Sequence, residues 1–280
     1  MDRIDWNALW KKHWLPMNKN HSVDFWDDFA PTFRRKDDPG MDDPYIAQFY
    51  EFSGFLPGDT IFDMGCASGV LAIPFAQQGH EVWAADFSPR MLDYLMLGAE
   101  EAGVADRIHP ILLDWNEDWS VRDLPKCDVV IASRSIVFED LTEALKKLES
   151  VAKRKVCIGA WDTPSPHYDR GVAKAIGYER PGYGCQFYIL NELLDRDLFP
   201  ELRVIRHSMK RSGYDSREAI ETRIRNSFQY GLTEEQEQKL RDYLDRHILR
   251  CETPERISYQ LEGSELTTIA HISWDVARNT

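Results

Sequence analysis

Between residues 58 and 162 the chain alternates short, almost wholly apolar runs with segments of helical length. That alternation is the strongest constraint on its fold. Thr60–Cys66 (TIFDMGC), His80–Phe87 (HEVWAADF), Ile108–Asp114 (IHPILLD), Cys127–Ser133 (CDVVIAS) and Lys155–Trp161 (KVCIGAW) read as strands. Their apolar character is nearly continuous, which is expected of strands covered on both faces and therefore of a parallel sheet between helical layers. Gly69–Gln78 reads as a helix stopped by Gly79. A second helix starts at the side-chain acceptor Ser88, with Pro89 in its first turn, and repeats Met91, Leu92, Leu95 and Ala99 at helical spacing up to Gly103. Leu141–Lys153 is a third, amphipathic one. Leu202–Met209 and Leu266–Val276 supply a sixth and a seventh strand, and the charged stretch 214–250 between them reads as a helical insertion. The expected fold is α/β: a doubly wound, mostly parallel seven-stranded sheet, with a helical N-terminal cap and a helical insertion before the last strand.

The flanks differ from this middle. Residues 1–57 form the expected cap, with Trp6, Trp10, Trp14, Phe25, Trp26, Phe29 and Phe33 on a charged background. Residues 58–280 form the main domain, with insertions at about 163–200 and 211–265; a Pro/Gly-rich loop (Tyr178–Gly184) precedes a helix over Gln186–Leu194. Lys and Arg number 34 against 47 Asp and Glu, a net charge of −13, which disfavours broad electrostatic binding to nucleic acid. The basic groups Arg34-Arg35-Lys36 and Arg203/Arg206/Lys210/Arg211 are small and read as solvated faces. No apolar run approaches the roughly 20 residues of a membrane span, and the first thirty residues lack the apolar centre of an export signal. The five cysteines form no CxxC pair and no zinc spacing, so a cytoplasmic chain with reduced thiols and no metal site is expected.

Polar residues collect where the strands end. Asp63-Met64-Gly65-Cys66-Ala67-Ser68-Gly69 closes the first strand and opens a helix. Small residues there let a ligand approach the backbone, and the helix start offers unpaired N–H groups. Asp86 ends the second strand, where a carboxylate suits two ribose hydroxyls, and Asp114 ends the third. Three such features on successive strand ends point to a nucleoside cofactor lying across the carboxyl edge of the sheet. An acid before the first glycine would repel a pyrophosphate and attract a cationic amine or sulfonium, which argues against a dinucleotide.

At this point the sequence resembles the class I S-adenosylmethionine-dependent methyltransferases. Their first motif, Asp-x-Gly-x-Gly-x-Gly, is matched from Asp63 to Gly69 with Ala67 in place of a glycine, and Ala85–Leu92 is similar to their second. Asp114-Trp115 and Cys127–Ser133 resemble the segments that flank adenine and the methionine moiety. The resemblance implies a Rossmann-like fold and S-adenosyl-L-methionine as cofactor. It implies that Asp63 lies near the cofactor's amino group, and that Gly65, Cys66, Ala67, Ser68 and Gly69 wrap the methionine and ribose. It further implies Asp86 at the ribose, Phe87 and Met91 against adenine, Asp114 and Trp115 beside that ring, and Ser133 with Arg134 close to the methyl group. Ala67 is harmless if its position does not require a positive φ. Phe25, Trp26 and Phe29 resemble a lid segment.

The acceptor is much less legible. In-line methyl transfer needs alignment and a dry site more than it needs acid–base groups. His167 and Asp162 are the candidate general bases, with Glu139 after the fourth strand and Tyr168 as an orienting group. A small-molecule acceptor is the expected partner, membranes are not, and nucleic acid is disfavoured. Methylation of RNA or protein, or cofactor binding without catalysis, are the alternatives; Ser133-Arg134-Ser135-Ile136 stands where an Asn-Pro-Pro-Tyr-type motif would mark an amide-nitrogen acceptor.

Overall fold

The computed structural model describes residues 3–13, 22–33, 40–136, 138–161, 168–179, 183–208, 214–228, 231–253, 257–262 and 266–276. Three helices come first: α1 (Trp6–His13), α2 (Val23–Phe33) and α3 (Pro44–Ser53). The alternating middle follows as β1 (Thr60–Met64), α4 (Ala72–Gln77), β2 (Glu81–Asp86), α5 (Pro89–Glu101), β3 (Ile108–Leu112), β4 (Cys127–Ser133), α6 (Leu141–Val151) and β5 (Ala152–Trp161). Beyond it lie α7 (Arg170–Ile176), α8 (Cys185–Asp195), β6 (Glu201–Ser208), α9 (Arg217–Asn226), α10 (Glu234–His247), β7 (Ile248–Glu252), β8 (Ile257–Leu261) and β9 (Leu266–Asp275).

All seven expected strands join one sheet in the order β3-β2-β1-β4-β5-β9-β6. Neighbours from β3 through β5 run parallel, and β9 lies antiparallel between β5 and β6. Chain order therefore reverses between β1 and β4, which opens a crevice at their carboxyl ends. Pro110 cannot donate to a ladder, and it sits in β3 at the sheet's edge.

Both faces are covered, as the apolar strands require. Successive side chains of a strand point to opposite faces, so Phe62 and Met64 join one core layer while Ile61 joins the other. The first layer takes Trp10 from α1, Leu145 and Leu148 from α6, and Tyr188 and Ile189 from α8. The second takes Ile46 and Phe49 from α3, Phe75 from α4 and Leu95 from α5. Trp10 stacks on Phe138 with ring centres 5.1 Å apart, and its indole N–H donates to the Phe138 carbonyl. The early tryptophans thus divide: Trp6 and Trp10 pack the core, while Trp26 goes elsewhere.

A third cluster stands apart from the sheet. Val172 and Ile176 of α7 pack with Ile220 and Ile224 of α9, Phe228, and Leu240 and Leu244 of α10. The expectation of a purely helical stretch to residue 250 is corrected here, because Ile248–Glu252 and Ile257–Leu261 pair as an antiparallel hairpin. Both strands are five residues long and only partly buried, too short to show a clear period of two. Among the described residues no helix is long and apolar enough to cross a membrane.

Candidate active site

The site is built on the carboxyl ends of β1, β2 and β4. Asp63 pairs with Ala84 on β2 and Ile131 on β4, which places a carboxyl in the middle of the sheet at 2% exposure. Burial, together with the negative charge of Asp86, pushes its acid up to about 8. The chain then turns sharply, and the N–H groups of Gly65 and Cys66 both donate to the Ala85 carbonyl at 2.7 and 3.0 Å. Gly65 has φ +75°, and a Cβ there would come within 2.3 Å of the Ser135 Cβ. Only glycine lets the β1 and β4 loops approach so closely. Ser135 completes the clasp by donating its hydroxyl to the Met64 carbonyl at 2.7 Å.

Asp86 is held by backbone donors. The Ala67 N–H reaches one carboxylate oxygen at 2.9 Å and the Ser88 N–H the other at 3.0 Å. Burial raises its pKa, and these amides oppose the rise without cancelling it. Ala67 itself adopts φ +49°. The condition under which alanine would be harmless here does not hold: the position uses the left-handed region, which suits glycine. At the start of α5 the Ser88 hydroxyl accepts from the Met91 N–H at 3.1 Å and donates to the Asp27 carboxylate of α2. That contact fastens α2 beside the strand ends, and Trp26 of the same helix lines the crevice.

Residues after β4 form the opposite wall. Arg134 has φ +59°, and its N–H donates to the Gly159 carbonyl at 2.7 Å. Its guanidinium lies 4.5 Å from the centre of the Tyr45 ring and 5.9 Å from that of Trp161. The Tyr45 hydroxyl bonds the Ser133 hydroxyl. Ala67 and Arg134 are two of the three non-glycine residues with positive φ among those described, and both line the same cavity. Backbone strain of this kind concentrates where a ligand is gripped.

The cavity between these walls spans about 790 Å³, the open solvent at its mouth included. Its lining brings together Asp63, Gly65, Cys66, Ala67, Asp86, Phe87, Met91, Trp115 and Ser133 from the expected set. Ser68, Gly69 and Asp114 are not in the lining. Gly69 instead allows tight packing, since a Cβ there would lie 2.5 Å from Leu95. Asp114 turns one carboxylate oxygen to the Asn116 N–H at 2.7 Å, closing the loop that carries Trp115. Asp162, His167, Trp14, Lys210, Arg211 and Arg34-Arg35-Lys36 lie outside the described residues. Glu139 is exposed and absent from the lining, and Tyr168 packs on Tyr178 and Phe228. Of the lid residues Trp26 lines the cavity, while Phe25 and Phe29 are exposed.

Sequence reasoning missed Met64, Val70, Leu71 and Ser135 in the lining, and Tyr45 just behind it. Tyr45 lies in the first turn of α3, whose N-cap Asp43 and first residue Pro44 were readable as a helix start. Nothing in the local sequence says that this helix buries its tyrosine beneath the end of β4.

The fit of a cofactor can be judged from these groups. Asp63 is a buried acid without a salt-bridge partner among the described residues, and the Trp115 indole N–H is buried with none. Both await a polar ligand, the first a cation.

A family profile described as a methyltransferase domain matches residues 61–155. An uncharacterized protein of Haemophilus influenzae is 32% identical over 209 residues, covering 74% of this chain and 75% of that one. The ribosomal protein L11 methyltransferase of Mannheimia succiniciproducens is 29% identical over 172 residues, 55% of each chain. Among solved structures, a candidate methyltransferase of Bacillus halodurans C-125 has a TM-score of 0.51 at 13% identity, covering 83% of this chain and 99% of that one. The YcgJ protein of Bacillus subtilis has a TM-score of 0.50 at 11% identity, covering 84% and 98%. These two likenesses concern the fold, which is the same mostly parallel seven-stranded arrangement. With its matched domain, its strand order and the acid-glycine turn at the reversal point, the chain belongs to the class I S-adenosylmethionine-dependent methyltransferases, enzymes that transfer a methyl group from that cofactor.

Proposed function

We propose that this methyltransferase acts on a small-molecule acceptor and holds its cofactor through the strand-end residues described above. The observation that carries the reading is a single cleft lined by the β1, β2 and β4 ends together with Trp26 of α2. A cleft of this kind beside an aromatic side chain suits an acceptor that can enter whole, and a bound acceptor would displace the water that would otherwise surround the methyl group.

Asp63 would meet the cationic amino group, because a buried carboxyl without a partner gains most from an ion that neutralises it. Asp86 would accept the two ribose hydroxyls. Each of its oxygens already takes one amide N–H, which fixes the carboxylate plane and leaves a lone pair on each. Phe87, Met91 and Trp115 supply apolar walls for a purine. When bound, S-adenosylmethionine supplies an electrophilic methyl group on a sulfonium. The chain's own contribution is to orient the two reactants in line and keep them dry.

The relative from Mannheimia succiniciproducens is named for a ribosomal protein, so a macromolecular acceptor is the contrary outcome to test. Incubation of the protein with methyl-labelled cofactor and cell extract, followed by size fractionation, distinguishes the two. Label in the low-mass fraction supports the proposal; label confined to protein or RNA overturns it.

A further inference from the structure

Among the described residues the lining contains two acids, Asp63 and Asp86, and a single cation, Arg134. Arg134 makes no ion pair with any carboxylate among the described residues, although the chain carries 47 acidic residues against 34 basic ones. It is held rather than free. A positive φ and the bond from its N–H to Gly159 set the backbone, and the rings of Tyr45 and Trp161 flank the guanidinium. An arginine fixed on aromatic faces keeps its forked N–H groups available for a planar anion.

The cofactor itself has a carboxylate, so the two possible anions must be told apart. Cofactor amine and carboxylate sit on one carbon, and the amine belongs to Asp63 in the reading above. Asp63 pairs with Ile131 on β4, whereas Arg134 lies just past the end of that strand, where its φ of +59° turns the chain. The guanidinium rests on the Tyr45 and Trp161 rings and makes no ion pair with Asp63. The S-adenosylhomocysteine affinity of an Arg134 variant separates the two anions, because only the cofactor's carboxylate would tie that affinity to the guanidinium.

We propose that Arg134 recognises an anionic group, a carboxylate or phosphate, on the methyl acceptor. This rests on the small-molecule reading and narrows it to acidic acceptors. In an acidic protein, an unneutralised arginine in the reaction cavity selects such molecules from neutral and cationic ones.

The test uses the full-length protein saturated with S-adenosylhomocysteine and titrated with benzoate, phenyl phosphate or neutral benzamide. Binding is followed by calorimetry. We expect one of the two anions to bind at least tenfold more tightly than benzamide, and the preferred one to show which group is read. Arg134→Met should abolish that preference while changing the S-adenosylhomocysteine affinity less than twofold, and Arg134→Lys should restore part of it. Equal binding of all three probes, or of none, overturns the proposal on the wild-type protein alone, whatever the variants do. A tenfold loss of S-adenosylhomocysteine affinity in Arg134→Met also overturns it, by giving the guanidinium to the cofactor's carboxylate. Failure of the small-molecule reading looks different, since it appears as label on macromolecules in the extract experiment.

Discussion

Asp63 is the residue whose chemistry is most tightly coupled to its position. Its carboxyl is pushed up to about 8 by burial and by Asp86, against an ordinary value of 3.8. The folded, ligand-free protein therefore binds a proton there that the unfolded chain has released, and stability falls as pH rises from about 4 to about 8. Asp63→Asn should remove that slope and leave the ligand-free protein more stable than wild type at pH 8, as thermal melts at pH 5 and pH 8 would show. The same ionisation is needed to meet a cationic amine. Cofactor affinity should accordingly weaken as pH drops below 8, by at most tenfold per unit, and lose at least tenfold in Asp63→Asn. A pH-independent affinity would detach Asp63 from the amine. Ala67 is the second such residue. Its left-handed φ of +49° costs ~1–2 kcal/mol for an L-residue, partly offset by the stiffer unfolded chain that alanine provides. Ala67→Gly should stabilise the protein by about 0.5–1 kcal/mol, a rise of roughly 1–4 °C in Tm. An unchanged or lower Tm would mean that the turn carries no such strain.

At the scale of elements, α2 is fixed to the sheet domain by a small number of polar contacts. Asp27 accepts from the Ser88 hydroxyl and, at 3.4 Å, from the Arg90 N–H at the start of α5. A carboxylate at a helix N-terminus is favoured by both the unpaired amides and the macrodipole. A hydrogen bond to a charged group contributes ~1.5–3 kcal/mol, so Asp27→Ala should speed amide exchange in Val23–Phe33 by about tenfold or more. Exchange in β1, β2 and β4 should stay as in the wild type. Uniform acceleration across the chain would show that α2 is not locally anchored. This latch was not legible from the sequence, because it joins residues 61 positions apart. The cap at Ser88 was legible, since Ser-Pro before a periodic apolar run is a local helix signature. The same division runs through the site. Asp63, Gly65 and Asp86 lie where strand and turn patterns meet and can be read locally, whereas Ser135 in the lining and Tyr45 behind it are placed by tertiary packing. Asp114 is an acid at a strand end that turns one carboxylate oxygen into its own loop, a contact the strand pattern does not announce.

Taken whole, the molecule divides its apolar core between the sheet and a separate cluster. The two sheet layers hold the strand ends that form the cavity, while α7, α9 and α10 bury Val172, Ile176, Ile220, Ile224, Phe228, Leu240 and Leu244 among themselves. None of these seven residues lines the cavity. The surface of this unit is laced with ion pairs such as Arg217–Glu221 and Lys239–Glu235, each spaced four residues along a helix. These are exposed pairs worth little individually, so its stability rests on the small cluster beneath them. Leu240 is fully buried at its centre. Truncating such a residue costs about 2–5 kcal/mol through lost burial and the cavity left behind. If the cluster opens as its own cooperative unit, Leu240→Ala should raise amide exchange in α7, α9 and α10 by roughly the factor that this free energy implies, while β1–β5 keep their protection. S-adenosylhomocysteine affinity should change less than twofold. A loss of protection spread equally over the sheet, accompanied by weaker cofactor binding, would instead make the helical unit part of the framework that holds the strand ends in place.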